Sequence, residues 1–178
     1  MRNIEVKARI TNMEDAERIA SVITGDMPPV RFEQTDTYFN VPKGRLKLRE
    51  HRGEETRDEL IFYLRLNEPG PKPSDYWIVE TRESTELKSM LSSALGINAV
   101  VTKKRTVFFF QNVRIHLDSV EELGTFLEFE EVLPEGSSQP GDTDLIKQLM
   151  REFSIKKEDL IGESYCELIA GNRSTSSG

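Results

Sequence analysis

The chain has 178 residues, of which 37% are hydrophobic and 31% charged, and its formal net charge is −7 at pH 7. These values fit one globular domain with a sizeable core, and no apolar run approaches the roughly 20 residues of a membrane-spanning helix. The negative charge argues against a surface built to bind nucleic-acid phosphates, and the single cysteine, Cys166, excludes an internal disulfide and favours a cytoplasmic location.

The first half of the chain has the pattern of strands around one helix. Alternating apolar and charged residues predict a strand over 4–10. An apolar stripe that follows a cap at Thr11 or Asn12 predicts a helix over 13–24. Three prolines and a glycine predict a loop over 67–74. The remaining alternating segments predict four strands, over 30–39, 45–51, 60–66 and 77–82.

The second half begins with a predicted short helix over 86–95, which Gly96 closes. Three more strands are predicted, over 100–111, 113–118 and 125–132. A loop is expected over 134–141, after which Asp142 or Thr143 caps a third helix. The apolar side of that helix would consist of Leu145, Ile146, Leu149, Met150 and Phe153.

The predicted elements add up to eight strands and three helices. Such a mixture indicates an α+β fold with a mainly antiparallel sheet, and eight strands are a natural number for a small closed barrel. No domain boundary interrupts the pattern, so residues 1–170 are expected to form a single domain. Small polar residues predict that 171–178 is a disordered tail.

Most of the predicted strands carry their charged residues on one face. For any single strand the ordinary explanation is a solvated sheet face. If the sheet closes, however, the helices cover the apolar face and the charges turn inward, where each unpaired ion costs several kcal/mol. A polyanion and divalent cations together would offset them, because basic side chains bind phosphate oxygens and carboxylates bind Mg²⁺ or Mn²⁺. The charged residues in phase are Glu5, Lys7, Arg9, Arg45, Lys47, Arg49, Arg65, Glu80, Arg82, Lys103, Arg105, Arg114, His116, Asp118, Glu128 and Glu130.

Several short motifs occur in a characteristic order: Asn3 to Lys7, Thr35 to Phe39, Leu46 to Glu50, Lys103 to Arg105, His116 to Asp118 followed by Glu130, and Ser164-Tyr165. In this order and spacing they resemble the CYTH family, also called triphosphate tunnel metalloenzymes, and are most similar to the branch of the class IV adenylyl cyclases. The resemblance covers nearly all of residues 1–169. It implies an eight-stranded antiparallel barrel, with helices packed outside, whose interior is a tunnel that holds a triphosphate.

The resemblance also implies roles for single residues. Asp118 and Glu128 would be catalytic, with Asp118 orienting metal-bound water or a substrate hydroxyl near the reacting end of the tunnel. Mg²⁺ or Mn²⁺ would be bound by Glu5, Glu128 and Glu130. The phosphates would be bound by Lys7, Arg9, Lys47, Arg49, Arg65, Lys103 and Arg105.

One position departs from the family signature, Glu-x-Glu-x-Lys, because Asn3 stands where the first Glu is expected. An amide oxygen can bind a cation, but it adds no negative charge and cannot act as a base. The metal site would therefore lose one unit of negative charge.

The expected function is divalent-metal-dependent hydrolysis of a triphosphate, either inorganic triphosphate or a nucleoside or thiamine triphosphate. Two alternatives stay open. In a cyclase, the ribose 3′-hydroxyl of ATP would attack the α-phosphorus and give cyclic AMP and pyrophosphate. With Asn3 in the site, the protein could instead be a non-catalytic module that binds a polyphosphate or nucleotide. In each case the expected partner is a triphosphate-containing small molecule, and neither a nucleic acid nor a membrane.

Overall fold

The computed structural model describes residues 1–25, 27–52, 57–134 and 143–175. Its strands are β1 Arg2–Arg9, β2 Val30–Phe39, β3 Arg45–Arg52, β4 Asp58–Arg65, β5 Lys72–Thr81, β6 Ile97–Phe110, β7 Val113–Val120, β8 Gly124–Val132 and β9 Leu160–Ile161. Its helices are α1 Met13–Thr24, α2 Ser84–Leu95, α3 Thr143–Glu152 and α4 Tyr165–Thr175, with a single 3₁₀ turn at Lys157–Asp159 among the described residues.

All these strands belong to one antiparallel sheet in the order β5-β4-β3-β2-β6-β7-β8-β1-β9. The sheet closes because β1 pairs with β5 as well as with β8, with Asn3 opposite Ser74 on one side and Val132 on the other. The predicted α+β fold with an eight-stranded antiparallel barrel is thereby confirmed. Closure directs one face of every strand into the barrel, so the alternating charges become its lining.

The barrel wall formed by β6, β7, β8 and β1 is covered on the outside by helices. Asn12 caps α1 by accepting a hydrogen bond from the Asp15 backbone N–H at 3.0 Å. The apolar stripes of α1 and α3 then pack on the outward faces of the strands. The resulting core consists of Val6, Ala16, Ala20, Phe108, Val113, Ile115, Leu117, Leu127, Phe129, Ile146, Leu149 and Phe153.

The last helix, α4, packs across one end of the barrel. It begins with a capping box in which the Ser164 backbone N–H donates to the Glu167 carboxylate and the Glu167 backbone N–H donates to Ser164 Oγ. Its apolar residues pack against the strands at that end, in a cluster of Tyr38, Ala99, Val101, Val120, Leu123, Phe126, Tyr165, Cys166 and Ile169. At the opposite end the inward-facing residues Arg57, Glu80 and Phe109 are exposed, so the barrel interior is accessible from there.

The structure differs from the sequence prediction at three places. The strand β5 begins at Lys72, within the segment predicted as a loop, because its first residues pair with β1; Pro73, opposite Ile4, is exposed on the outside. The two-residue strand β9 and the helix α4 were not predicted. Since α4 continues through Thr175, the expected disordered tail is helical over 171–175.

Parts of the predictions fall on residues outside the described ranges. These are 176–178 of the expected tail, Asp142 as a helix cap, and residues 135–141 of the expected loop. The division into a domain of 1–170 and a tail stays a prediction. In the described part of the chain, none of the helices is long and apolar enough to cross a membrane.

Candidate active site

A cavity of about 850 Å³ extends into the barrel and is lined by residues from all eight barrel strands. Strand pairing places its charged residues side by side. Lys7 of β1 lies opposite Glu128 of β8, and Glu5 lies opposite Glu130. The charged faces predicted for single strands therefore form one continuous lining.

Three cations converge on one carboxylate inside this cavity. Asp36 is fully buried and accepts hydrogen bonds from Lys47 Nζ at 2.9 Å, Lys103 Nζ at 2.6 Å and the Arg49 guanidinium at 2.8 and 3.0 Å. Burial alone would raise the pKa of Asp36, but the charges of Arg49, Lys103 and Lys47 outweigh it and hold this pKa well below the usual value. We call these four residues the Asp36 cluster.

The Asp36 cluster contains more positive than negative charge. Burial lowers the pKa of Lys103 to about 7 and that of Lys47 to about 8, although Asp36 opposes the shift in both cases. The neighbouring Arg49 lowers both pKa values further. One carboxylate therefore does not fully compensate the two lysines and the arginine, and a second anion would stabilise their charged forms.

A second ionic group surrounds Arg105. Its guanidinium donates to both oxygens of Asp118 at 2.6 and 2.5 Å and to Glu128 Oε2 at 2.7 Å. Asp118 also accepts a hydrogen bond from the Tyr165 hydroxyl at 2.8 Å and is fully buried. Burial would raise the pKa of Asp118, but Arg105 lowers it below its usual value. Asp118 is thus enclosed behind Arg105, whereas Glu128 faces the cavity.

The carboxylates Glu5, Glu128 and Glu130 lie on adjacent strands, and we call them the carboxylate wall. Glu5 binds Arg65, and Glu128 pairs with Lys7 at 3.1 Å. Burial opposes the ionisation of Glu128, but Lys7 and Arg105 together hold its pKa well below the usual value. Glu128 is therefore ionised at neutral pH.

The edge of the carboxylate wall is formed by Asn3 and Glu130. The Asn3 amide nitrogen donates to Glu130, which also lies 3.3 Å from Arg114 and 3.6 Å from His116 Nε2. Asn3 is only 3% exposed, yet its Oδ1 has no hydrogen-bond partner among the described residues. A buried acceptor without a partner is costly, and a cation would satisfy it.

The residue types of the carboxylate wall suit a hard divalent cation, because Mg²⁺ and Mn²⁺ prefer oxygen ligands. In the described residues, no three His, Cys, Asp or Glu side chains are already arranged as a metal site. The carboxylates are instead paired with Arg65, Lys7 and Arg105. A bound phosphate would compete for these cations and free the carboxylate oxygens, so the chemistry of the donor set fits a metal that binds together with a polyanion.

Nine of the residues predicted to form the site do line the cavity: Glu5, Lys7, Lys47, Arg49, Arg65, Lys103, Arg105, Glu128 and Glu130. Two others lie elsewhere. Asp118 is enclosed behind Arg105. Arg9 is outside the cavity lining, where its guanidinium covers the Phe126 ring at 4.8 Å and donates to the Leu123 carbonyl at 2.7 Å.

Sequence reasoning assigned no role to Asp36 and Tyr165, which organise the site, or to Lys72, which is buried next to it. Asp36 lies on the same face of β2 as the other inward-facing residues, and its place in this alternation could have identified it as part of the cavity lining. Lys72 lies opposite Glu5 across the seam between β1 and β5, and burial lowers its pKa to about 8. It could not be found because its segment had the composition of a loop.

Comparisons with known proteins agree with this architecture. The family model of the CYTH domain matches residues 1–165. A Methanocaldococcus jannaschii protein described as a putative adenylate cyclase is 25% identical over 148 residues, which cover 78% of each chain. Among solved structures, a Pyrococcus horikoshii protein superposes with a TM-score of 0.81 at 24% identity, covering 93% of this chain and 98% of that one. A Mimivirus capping-enzyme triphosphatase has a TM-score of 0.60 at 12% identity, with 86% and 88% covered.

The two structural likenesses show the fold, since both lie below 25% identity. The family model, in contrast, spans most of the chain and includes both the Asp36 cluster and the carboxylate wall. The chain therefore belongs to the CYTH domain family.

Proposed function

We propose that this protein is a divalent-metal-dependent enzyme that hydrolyses a triphosphate bound in the barrel cavity. The Asp36 cluster is the observation that carries the proposal, because Lys47, Arg49 and Lys103 converge on Asp36, and of the three only Arg49 has a further carboxylate among the described residues, Glu59 at 3.8 Å. Such uncompensated cations in a buried site are suited to phosphate oxygens, with which they make short charge-assisted hydrogen bonds. Arg105 and Lys7 extend the same positive lining toward Glu128.

The residues of the carboxylate wall, together with Asn3 Oδ1, would hold Mg²⁺ or Mn²⁺. When bound, such an ion supplies neutralisation of phosphate charge and polarisation of the phosphoryl group. Glu128 faces the cavity and remains ionised, so it can orient the attacking water by accepting a hydrogen bond. Asp118 contacts Arg105 but not the cavity, so its contribution is to hold the guanidinium in position.

In the proposed reaction a water oxygen bonds to the terminal phosphorus while the bridging P–O bond breaks. The products are orthophosphate and a diphosphate, and the proton of the water is released to solvent. Negative charge develops on the leaving oxygen, where the fixed cations of the Asp36 cluster and Arg105 stabilise it.

A cyclase is the second candidate, and the description of the Methanocaldococcus relative favours it. In this case the ribose 3′-hydroxyl of ATP bonds to the α-phosphorus and pyrophosphate leaves. The phosphates would contact the same cations. The triphosphate would, however, be displaced along the cavity, so that the α-phosphorus and not the terminal phosphorus is attacked.

The test is to incubate the protein with inorganic triphosphate, ATP or thiamine triphosphate, each with Mg²⁺ or Mn²⁺, and to measure phosphate release and cyclic AMP. The hydrolase proposal predicts phosphate release that falls by at least about a hundredfold in Glu128→Gln. The matched control is Glu121→Gln, which changes an exposed carboxylate in the turn after β7 and should retain the rate.

The products separate the candidates. Cyclic AMP without phosphate release would replace the hydrolase by the cyclase. Tight binding of a triphosphate without either product would overturn both enzyme proposals and leave a non-catalytic binding module.

A further inference from the structure

Tyr165 is the first residue of α4, and its side chain lines the cavity although the proposed reaction does not use it. The capping box of Ser164 and Glu167 fixes this first helical turn. The Tyr165 ring packs edge-on against Phe126, with ring centroids 4.9 Å apart, and the residue is only 4% exposed. Both its ring and its hydroxyl are therefore held in one position at the closed end of the barrel.

The hydroxyl of Tyr165 holds an ion pair of the site. It donates to Asp118 Oδ2 at 2.8 Å, and the two oxygens of Asp118 accept from Arg105 at 2.6 and 2.5 Å. Arg105 also donates to Glu128 Oε2 at 2.7 Å. Because Asp118 is contacted by donors from two directions, its rotation is restricted and the guanidinium it binds has a fixed direction. The hydroxyl thus determines where one oxygen of Glu128 meets a cation.

The ring of Tyr165 holds a second cation. Lys7 Nζ lies 3.7 Å from the ring centroid, well within the limit of about 6 Å for a cation–π interaction. The same ammonium lies 3.1 Å from Glu128 Oε1 and donates to the Glu163 carbonyl oxygen at 3.4 Å. Two of these three contacts come from the segment that leads into α4. This segment therefore places the ammonium beside the other oxygen of Glu128.

We infer that Tyr165 is a positioning residue for the reaction, because this one side chain holds both cations that flank Glu128. Its ring holds Lys7 directly, and its hydroxyl holds Arg105 through Asp118. The inference rests on the proposed function for the role of Glu128, which orients the attacking water.

The two contacts of Tyr165 have separable consequences. Without the hydroxyl, Arg105 keeps its pairing with Asp118, so its charge still attracts a phosphate and only its direction changes. A changed direction matters most in the transition state, where a displacement of about 1 Å can cost a hundredfold in rate. Without the ring, Lys7 loses a contact that holds it in the phosphate-binding lining. The hydroxyl therefore acts on kcat, and the ring acts on the affinity for the triphosphate.

The experiment compares Tyr165→Phe, which removes the hydroxyl alone, with Tyr165→Leu, which also removes the ring. Release of phosphate and cyclic AMP from inorganic triphosphate and from ATP gives kcat and KM, and calorimetry with Ca²⁺ in place of Mg²⁺ gives the affinity without turnover. In Tyr165→Phe, kcat should fall by about tenfold or more while the affinity stays within about twofold of the native value. In Tyr165→Leu, the affinity should also fall, by about fivefold, because the cation–π contact is lost.

Phe153→Leu is the matched control for the loss of a buried ring. Phe153 is 8% exposed, packs edge-on against Phe129 and does not line the cavity. It should lower the melting temperature, as Tyr165→Leu does, but leave kcat and the affinity unchanged when both are measured well below that temperature. A merely structural role for Tyr165 would give its two variants the same behaviour as Phe153→Leu.

The outcomes separate this inference from the proposed function. Unchanged kcat in Tyr165→Phe would overturn the inference, and so would equal affinities of the Phe and Leu variants. If the native protein binds either triphosphate but releases no product, the proposed function fails. An affinity loss confined to Tyr165→Leu would then still support the inference, and equal affinities would overturn it too. Failure of both probes to bind would overturn the proposed function and the inference together.

Discussion

Asn3 determines how much negative charge a metal would meet in this cavity. Its amide nitrogen donates to Glu130, and its Oδ1 is left buried without a partner among the described residues. If the amide were flipped, Oδ1 would face the Glu130 carboxylate, and two acceptors cannot form a hydrogen bond. The hydrogen bond to Glu130 therefore leaves Oδ1 as the amide atom available to a ligand. The position therefore offers a neutral oxygen ligand beside Glu5 and Glu130.

Replacing Asn3 by Glu should raise the affinity for Mn²⁺ by about tenfold or more, because it adds a negative charge within a few ångströms of the bound ion. The same change should lower the melting temperature of the metal-free protein, since the new carboxylate repels Glu130 and Glu5. Calorimetric Mn²⁺ titrations measure the first effect and thermal unfolding the second. Asn3→Gln is the neutral control, and unchanged Mn²⁺ affinity in Asn3→Glu would place the ion away from residue 3.

Replacing Asp36 should lower the unfolding free energy of the protein. Asp36→Asn removes the carboxylate on which the Asp36 cluster converges: Lys47 and Lys103 lose it as an ion-pair partner, and Arg49 keeps the more distant Glu59 at 3.8 Å. Breaking a buried ion pair from one side costs about 3–5 kcal/mol of unfolding free energy. Urea denaturation should show a loss of this size, whereas Asp75→Asn, in a half-exposed pair with Arg2, should cost at most about 1 kcal/mol. Similar midpoints for the two variants would contradict the role given to Asp36.

At the scale of elements, α3 is held to the barrel by a narrow apolar stripe. Ile146 and Leu149 are buried in the core with Phe129 and Phe153, while Gln148 on the same helix is exposed. Leu149→Ala should lower the unfolding free energy by about 2–5 kcal/mol because it leaves a cavity in that core. Gln148→Ala should stay within about 0.5 kcal/mol. Equal denaturation midpoints for both variants would mean that α3 does not contribute its stripe to the core.

Elements with a clear period could be predicted from the sequence. The helix α1 and the strand β2 have the predicted limits, because capping residues and alternation mark them locally. The start of β5 could not be predicted, since Pro71 and Pro73 have the local signature of a loop and only pairing with the distant β1 makes this segment a strand. The start of the helix α4 does have a local signal in the sequence, the Ser164-x-x-Glu167 capping box.

Some features of the candidate site can be predicted from the pattern along single strands, whereas others depend on how distant segments pack together. Alternation along single strands was sufficient to select nine cavity-lining residues, such as Lys103 and Glu128. It could not distinguish the two ends of the barrel, which depend on where α4 packs. For this reason Arg9 was expected to bind phosphate, although it covers Phe126 outside the lining.

For the molecule as a whole, net charge and cavity charge have opposite signs. The chain carries −7 in total, yet its interior contains the uncompensated cations of the Asp36 cluster. Acidic residues such as Glu121 and Glu122 lie on the exterior. The exterior charge weakens the attraction between polyanions and the outer surface. A small phosphate compound can still reach the cations through the barrel end opposite α4.

The whole cavity should therefore take up protons when it binds a triphosphate. Lys103, which faces Asp36, Lys47, Arg49 and Arg105, has a pKa of about 7 in the free protein because it is buried. A bound phosphate favours the charged amine and raises this pKa toward its ordinary value. At pH 8 the amine is mainly neutral before binding and charged afterwards, so binding consumes a proton. The affinity should consequently fall as the pH rises from about 7 to 9.

Calorimetry of ATP binding at pH 8, in two buffers with different ionisation enthalpies, measures this uptake directly. The terminal phosphate, with a second pKa of about 6, is already ionised under these conditions and does not contribute. Lys103→Arg keeps the positive charge but cannot titrate, so it should reduce the uptake and flatten the pH dependence of the affinity. Part of the uptake should remain, because Lys47, with a pKa of about 8, responds in the same direction. Identical proton uptake in the native protein and Lys103→Arg would show that the phosphates bind away from the Asp36 cluster.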